Sequence, residues 1–209
     1  VRNGLKKVSV PLKLRSFPIV LANCITDDVK AASYIPNDYQ GQADITYLIV
    51  EKGYKKPLFL HIPQNYIATA ARKQGFEEEW AKQPNAATPV HFFMPPDGED
   101  YFEGARPLLD LLEKNPQSFD FDVVICGNDR IAFVAYQLLL AKGFRIPQDV
   151  AVTGYDNMVG VADLFLPPLT TVQLPHYEMG VQATLHLIEA REGKDNYLIT
   201  CPLIMRESC

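Results

Sequence analysis

The chain has 209 residues, 47% hydrophobic and 22% charged, with a formal net charge of -5; it can bury a substantial core under a charged surface. The acidic balance excludes the positive footprint of a module that grips phosphate backbones, so the chain alone is not expected to bind DNA. No apolar stretch is long enough to span a bilayer, the basic opening VRNGLKKVSVPLKLRS lacks an apolar secretory core, and four scattered cysteines without a C-x-x-C pair read as ordinary thiols of a reducing cytoplasm.

The 16 prolines favour short elements joined by turns. From about residue 17 onward, strand-like apolar runs alternate with helix-like periodic segments, which predicts an α/β fold with a parallel sheet covered by helices. The first run is Pro18 to Ala22, ending at Asn23. A helix follows from about Asp38 to Lys52, with Ile45, Leu48 and Ile49 at core spacing, and then a strand from Leu58 to Ile62. A helix from about Ile67 to Lys82 carries Ala70, Phe76 and Trp80, and a short strand, Val90 to Phe93, runs into the turn-rich MPPDGED.

Leu108, Leu109 and Leu112 mark the next helix, and DVVICG, Asp122 to Gly127, is apolar enough for a strand covered on both faces. It stops at Asn128 and Asp129, where a helix runs to Lys142; the strand Val150 to Gly154 then ends at Tyr155 and Asp156. PPLTTVQLP suits a connection between lobes better than a central strand. A last amphipathic helix, about Tyr177 to Arg191 with Val181, Leu185 and Ile188 inward, precedes a final strand from Tyr197 to Met205.

In an open parallel sheet, ligands bind outside the carboxyl ends of the strands, where helix N-termini face the crevice. Three strands here end in amide or carboxylate side chains: Asn23; Asn128 with Asp129; Asp156 with Asn157. Each alone is explained by helix capping or turn geometry. Together they offer the donors and acceptors that pair with the hydroxyls of a sugar. Arg72 either snorkels to water or turns its planar fork to a ligand oxygen. Either Phe92 or Phe93 packs in the core, and the other is free to wall a sugar ring.

The four histidines lack metal-ligand spacing. There is also no G-x-S-x-G elbow, no phosphate loop and no G-x-G-x-x-G after a strand. Neither metal nor cofactor is implied, and nothing argues for catalysis.

Taken together, RKQGF, CGNDRIAFVAYQLLLAKGFRIPQDVAVTGYDN, PPLTTVQLPHYEMG and LIMRES resemble the lactose-repressor and galactose-repressor (LacI/GalR) family, over almost the whole chain. The resemblance implies a periplasmic-binding-protein-like core of two α/β lobes joined by three crossings, with an effector in the cleft between them. By motif, Arg72, Asn128 and Asp156 match effector contacts, Asn23 matches a cleft position of the first lobe, and Phe93 matches a position before a variable loop. All five are therefore expected at the cleft, with Arg72 and Asp156 outside the core.

The crossings would fall near Ile35 to Asn37, Val172 to Pro175 and Glu192 to Asn196. Residues 1–36 and 174–194 would then form the first lobe, and 37–173 with 195–209 the second. Family members begin with a helix-turn-helix head and two βα units that have no counterpart ahead of Val1, so the resemblance implies an absent head and an incomplete first lobe. It further implies a homodimer through the helix beginning at Asp129, with Phe133, Tyr136 and Phe165 at the interface; that helix is apolar around more of its girth than one sheet face requires.

The expected function is a sugar-sensing repressor core in the cytoplasm, contacting operator DNA only through the missing head. The alternatives are a solute-binding protein of a sugar transporter and a small α/β enzyme using Asp156 or Asp129 as a base.

Overall fold

The computed structural model describes residues 5–84, 87–96, 100–114 and 119–209. Its larger unit is a four-stranded parallel sheet in the order β6-β5-β7-β8, formed by β5 (Pro57–His61), β6 (Val90–Phe93), β7 (Val123–Cys126) and β8 (Ala151–Thr153). Helices α1 (Asp38–Glu51) and α2 (Ile67–Trp80) cover one face, and α3 (Tyr101–Lys114) and α4 (Asp129–Ala141) the other.

The period-two alternation of the strands sets this division. Leu58, Leu60, Val124 and Cys126 join Leu108, Leu112, Ile131 and Leu139, whereas Phe59, Val123 and Ile125 join Ile49, Phe76 and Trp80. In the expected helix over α1, Ile45 and Ile49 are buried and Leu48 is half-buried. Strands β5, β7 and β8 are buried on both sides, which explains their nearly continuous apolar sequences, while the edge strand β6 is half-buried.

A smaller unit holds a three-stranded parallel sheet in the order β10-β4-β2: β10 (Asn196–Ile199), β4 (Ala32–Pro36) and β2 (Val20–Ala22). Two short strands, β1 (Lys6–Lys7) and β3 (Cys24–Ile25), pair beside it. Helix α5 (His176–Ile188) packs on this sheet through Met179, Ala183 and His186. The Tyr34 hydroxyl lies 3.1 Å from His186 Nδ1, and the Tyr34 ring stacks on Tyr197 with centroids 4.9 Å apart. The expected inward face of α5 needs correction: Ile188 is 74% exposed, because the buried stripe runs through Met179, Ala183 and His186 instead.

The final stretch also departs from the single strand expected over Tyr197 to Met205. β10 registers with β4, and the Asn37 amide donates to the Ile199 carbonyl at 2.8 Å. The chain then turns through residues 200–202 into β11 (Leu203–Ile204), which pairs antiparallel with β9 (Thr171–Val172). Pro202 lacks an N–H to continue a ladder, and the strand changes partner there. The third passage between the units therefore lies after Ile199, not near Glu192 to Asn196, and residues 196–199 belong with the small sheet.

The passages are packed together. Gln40 accepts from the Cys201 amide at 2.9 Å and donates to the Cys201 carbonyl at 3.3 Å. Ile45, Tyr155, Val172, Leu174 and Cys201 form a small buried cluster around them. A Cβ on Gly41 would lie 2.5 Å from the Tyr155 hydroxyl and 2.8 Å from both Cys201 Cβ and Val172 Cγ1, so only glycine fits. All four cysteines are free, and Cys126, Cys201 and Cys209 are buried. Among the described residues no helix is long and apolar enough to cross a membrane.

Gly75 of RKQGF lets α2 approach α1, since a Cβ there would collide with the backbone carbonyl of Tyr39. Gly75→Ala is expected to destabilise the fold by about 1–3 kcal/mol, even after the ~1 kcal/mol gain in helix propensity, because backbone cannot rotate away. Urea denaturation checks this; an unchanged or raised midpoint would refute the contact.

Candidate functional site

The strand order places a topological switch point between β5 and β7: the chain leaves β5 for β6 on one side and returns to β7 on the other. At such a point the loops after the two strands diverge, and the carboxyl ends of β5 and β7 are where a ligand crevice is expected. Arg72 reaches into it from α2, whose side chains lean back toward the helix N-terminus.

Its Nη1 donates to the Gly127 carbonyl at 2.7 Å, just past the end of β7. Its Nε donates to Asp38 Oδ1 at 2.8 Å, and its guanidinium lies 3.5 Å from the Tyr155 ring centroid. Burial is the largest single influence and works against the guanidinium charge, but Asp38, Tyr155 and Asp156 together outweigh it and hold the Arg72 pKa above its ordinary value. Both partners are only 3% exposed. This corrects the expectation that Arg72 stands outside the core: the residue is a buried ion pair at the crevice wall, and among the described residues its Nη2 makes no hydrogen bond.

Asp156 follows β8 in a left-handed conformation, with φ of 118°, held by its amide donating to the Val172 carbonyl at 2.8 Å. Burial pushes its carboxyl up to about 8; Arg72 and Arg130 pull it down, while Asp129 and Asp38 push it further up. Two neighbours are structural. Asn157 donates to Gln173 at 3.2 Å and accepts from Arg206 Nη2 at 2.8 Å. Asp129 is fully buried and accepts from the Thr171 hydroxyl at 2.6 Å and the Met158 amide at 2.7 Å. Burial raises Asp129 to about 6, against those two hydrogen bonds. Its oxygens fasten the loop that carries Asp156.

Asn128 serves two ends. Its Oδ1 caps α4 by accepting from the Ile131 amide at 2.8 Å, and its Nδ2 makes no hydrogen bond among the described residues. Asn23 ends β2 with φ of 57°, and its buried Oδ1 has no hydrogen-bond partner among the described residues. Leaving a buried acceptor unpaired costs roughly 1–3 kcal/mol, so a ligand donor arriving there restores what folding gave up.

Phe93, at the end of β6, stacks on His61 with centroids 4.5 Å apart and planes 11° off parallel. It is half-buried on the α2 side of the sheet. His61 Nε2 in turn lies 2.8 Å from His91 Nδ1, and burial, then His91, press the His61 pKa down to about 2. The sequence offered no ligand role for Asp38 or Tyr155. Asp38 looked like a helix-start acid, and Tyr155 a strand-end residue; only the folded chain brings them to Arg72.

On the far side of α4 the three aromatics divide. Phe133 is 52% exposed, whereas Tyr136 is buried, with its hydroxyl donating to the Pro167 carbonyl at 3.0 Å, and Phe165 is buried edge-on against it at 4.8 Å. Tyr136 and Phe165 are thus core residues of their own chain, beneath a groove of about 360 Å³ whose exposed rim is Phe133, Leu140, Leu164 and Leu166.

Residues 5–207 match the family described as periplasmic binding proteins and sugar binding domain of the LacI family. The chain is 50% identical over 203 residues to the sucrose operon repressor of Escherichia coli, covering 97% of this chain and 61% of that protein. A putative LacI-family transcriptional regulator from Rhizobium etli superposes with a TM-score of 0.80 at 26% identity, over 97% of this chain and 74% of the other. The fold is shared too by a periplasmic binding protein/LacI transcriptional regulator from Alkaliphilus metalliredigens complexed with D-xylulofuranose (TM-score 0.71, 24% identity, 92% and 71% of the two chains).

Because Asp156 holds its proton up to about 8 in the fold, against 3.8 ordinarily, its contribution favours the folded state below 3.8 and is lost as pH rises toward 8. Asp156→Asn should therefore flatten the fall in thermal midpoint between these limits. Parallel pH profiles for the two proteins would reject the raised carboxyl.

Proposed function

Because the chain belongs to the family of periplasmic binding proteins and LacI-type sugar-binding domains, we propose that it senses a small carbohydrate between its two units and forms the regulatory part of a transcription repressor. The observation that carries this is the gathering at one switch point of Arg72 anchored on Gly127, the uncommitted Asn128 amide and the half-buried Asp156. Asn23, with its unpaired Oδ1, ends a strand of the other unit. Half-identity to a sucrose operon repressor supports the assignment over a transport protein. The commitment of Asp129 to Thr171 and Met158 removes a candidate base from the enzymatic alternative.

A ligand shifts the angle between two units only by binding one arrangement more tightly than the other, so contacts from both sides are required. Asn23 from the small unit and the Arg72 group from the large one supply them. Operator contact is assigned to a helix-turn-helix head outside these residues, in keeping with the net charge of -5. Assembly is assigned to a homodimer through the α4 groove, whose exposed rim of Phe133, Leu140, Leu164 and Leu166 is an association-prone apolar patch.

Calorimetry with sucrose and fructose tests the site in the intact protein. Asp156→Ala and Arg72→Lys are each expected to weaken binding by about 1.5–3 kcal/mol, roughly 10- to 150-fold. Near-unchanged affinity in both would overturn the assignment. Arg72→Ala is the poorer probe, because stranding a buried Asp38 carboxylate costs about 3–5 kcal/mol of stability. For assembly, Phe133→Asp should convert a sedimenting dimer to monomer, while Tyr136→Asp should unfold the chain; a wild type that stays monomeric at high concentration rejects the dimer.

A further inference from the structure

The charge that most resembles an anion receptor in this site is already spent. Arg72 pairs with Asp38 at 2.8 Å, and both side chains are 3% exposed. The remaining nearby ionisable groups do not replace it. Asp156 and Asp129 are carboxyls, and Arg206 donates its Nη1 to the Leu169 carbonyl at 2.7 Å and its Nη2 to Asn157 at 2.8 Å. Lys73, the next cation along α2, is paired with Glu77 on the solvent side. Arg130, whose charge reaches Asp156, stands on an exposed turn of α4 with its guanidinium 5.0 Å from the Tyr101 ring centroid, where solvent screens it.

The buried inner wall therefore holds one guanidinium matched by the Asp38 carboxylate, and the Asp156 carboxyl, which keeps its proton up to about 8, adds no positive charge. A phosphate ester carries close to two negative charges at neutral pH and would meet, on that wall, a guanidinium already balanced by the carboxylate in contact with it. A neutral polyol asks only for donors and acceptors, and Arg72 Nη2, Asn128 Nδ2 and Asn23 Oδ1 provide both.

We propose that the site takes an unphosphorylated carbohydrate, and that Asp38, a positioning residue outside the ligand shell, excludes sugar phosphates by neutralising Arg72 from behind. Asp38 does this from the first turn of α1, one residue past the passage from the small unit. The inference rests on the carbohydrate-sensing function proposed above and narrows it.

Matched pairs of ligand test it on the intact protein: fructose against fructose 6-phosphate, and sucrose against sucrose 6-phosphate, by calorimetry. The neutral member of at least one pair is expected to bind at least tenfold more tightly in the wild type. Asp38→Asn leaves the guanidinium charge unbalanced and should shrink that ratio by about tenfold or more, whereas Asp38→Glu, which keeps the pair, should preserve it. A phosphorylated sugar binding as tightly as its parent overturns the ligand class. An unchanged ratio in folded Asp38→Asn overturns the role of Asp38. Should that variant not fold, the wild-type ratio decides the ligand class by itself. Binding of neither kind of sugar would instead reject the carbohydrate-sensing reading, and this inference with it.

Discussion

The ion pair between Arg72 and Asp38 is the contact on which the rest of the site depends. It ties the second turn of α2 to the first turn of α1, and through Nη1 it ties both to the end of β7. Buried pairs of this kind add little net stability, since desolvation consumes most of the attraction, but losing one partner leaves a stranded charge. Their value is in fixing geometry. Here the guanidinium is held by the carboxylate, the carbonyl and the Tyr155 ring at once, so its free edge is aimed before any ligand arrives. The arrangement also places the first residue beyond one interunit passage in direct contact with the crevice.

Most of the architecture is legible in the sequence because its large sheet is buried on both faces. Runs such as VVIC have no other stable place than a covered strand, and the Asn and Asp residues that follow them mark the carboxyl ends. What escapes is information carried by pairing. LIT and PLIM read as one apolar stretch, yet Ile199 belongs beside Pro36 and Leu203 beside Val172, in different sheets. Periodicity reports burial and not partner, so the change of sheet at Pro202 has no signature beyond the proline itself.

The same limit governs the site. Asn128, Asp156 and Asn23 are legible as strand-end residues, and Arg72 through its motif. Their division of labour is not: Asn128 spends its oxygen on a helix and keeps its amide, and Asp129, one residue on, spends one oxygen on Thr171 of β9 and the other on the Met158 loop. Nor does an apolar helix say which of its aromatics is turned outward. Tyr136 and Phe165 fill their own core, and the surface patch is completed by Leu164 and Leu166, from a segment whose sequence gives no helical or strand period.

The crowding at Gly41 has a mechanical consequence. The Tyr155 hydroxyl, Cys201 and Val172 press on one Cα from three separate stretches of chain, and Gln40 grips Cys201 from both sides. Three tethers that could each bend alone are thereby keyed to a common pivot. Rotation about that point displaces nearby atoms least and the far tip of the small sheet most, as a lever does. A small repacking at the Tyr155 face that turned the small sheet about this point would move its remote end farthest, with no need for a signal to travel along any single strand.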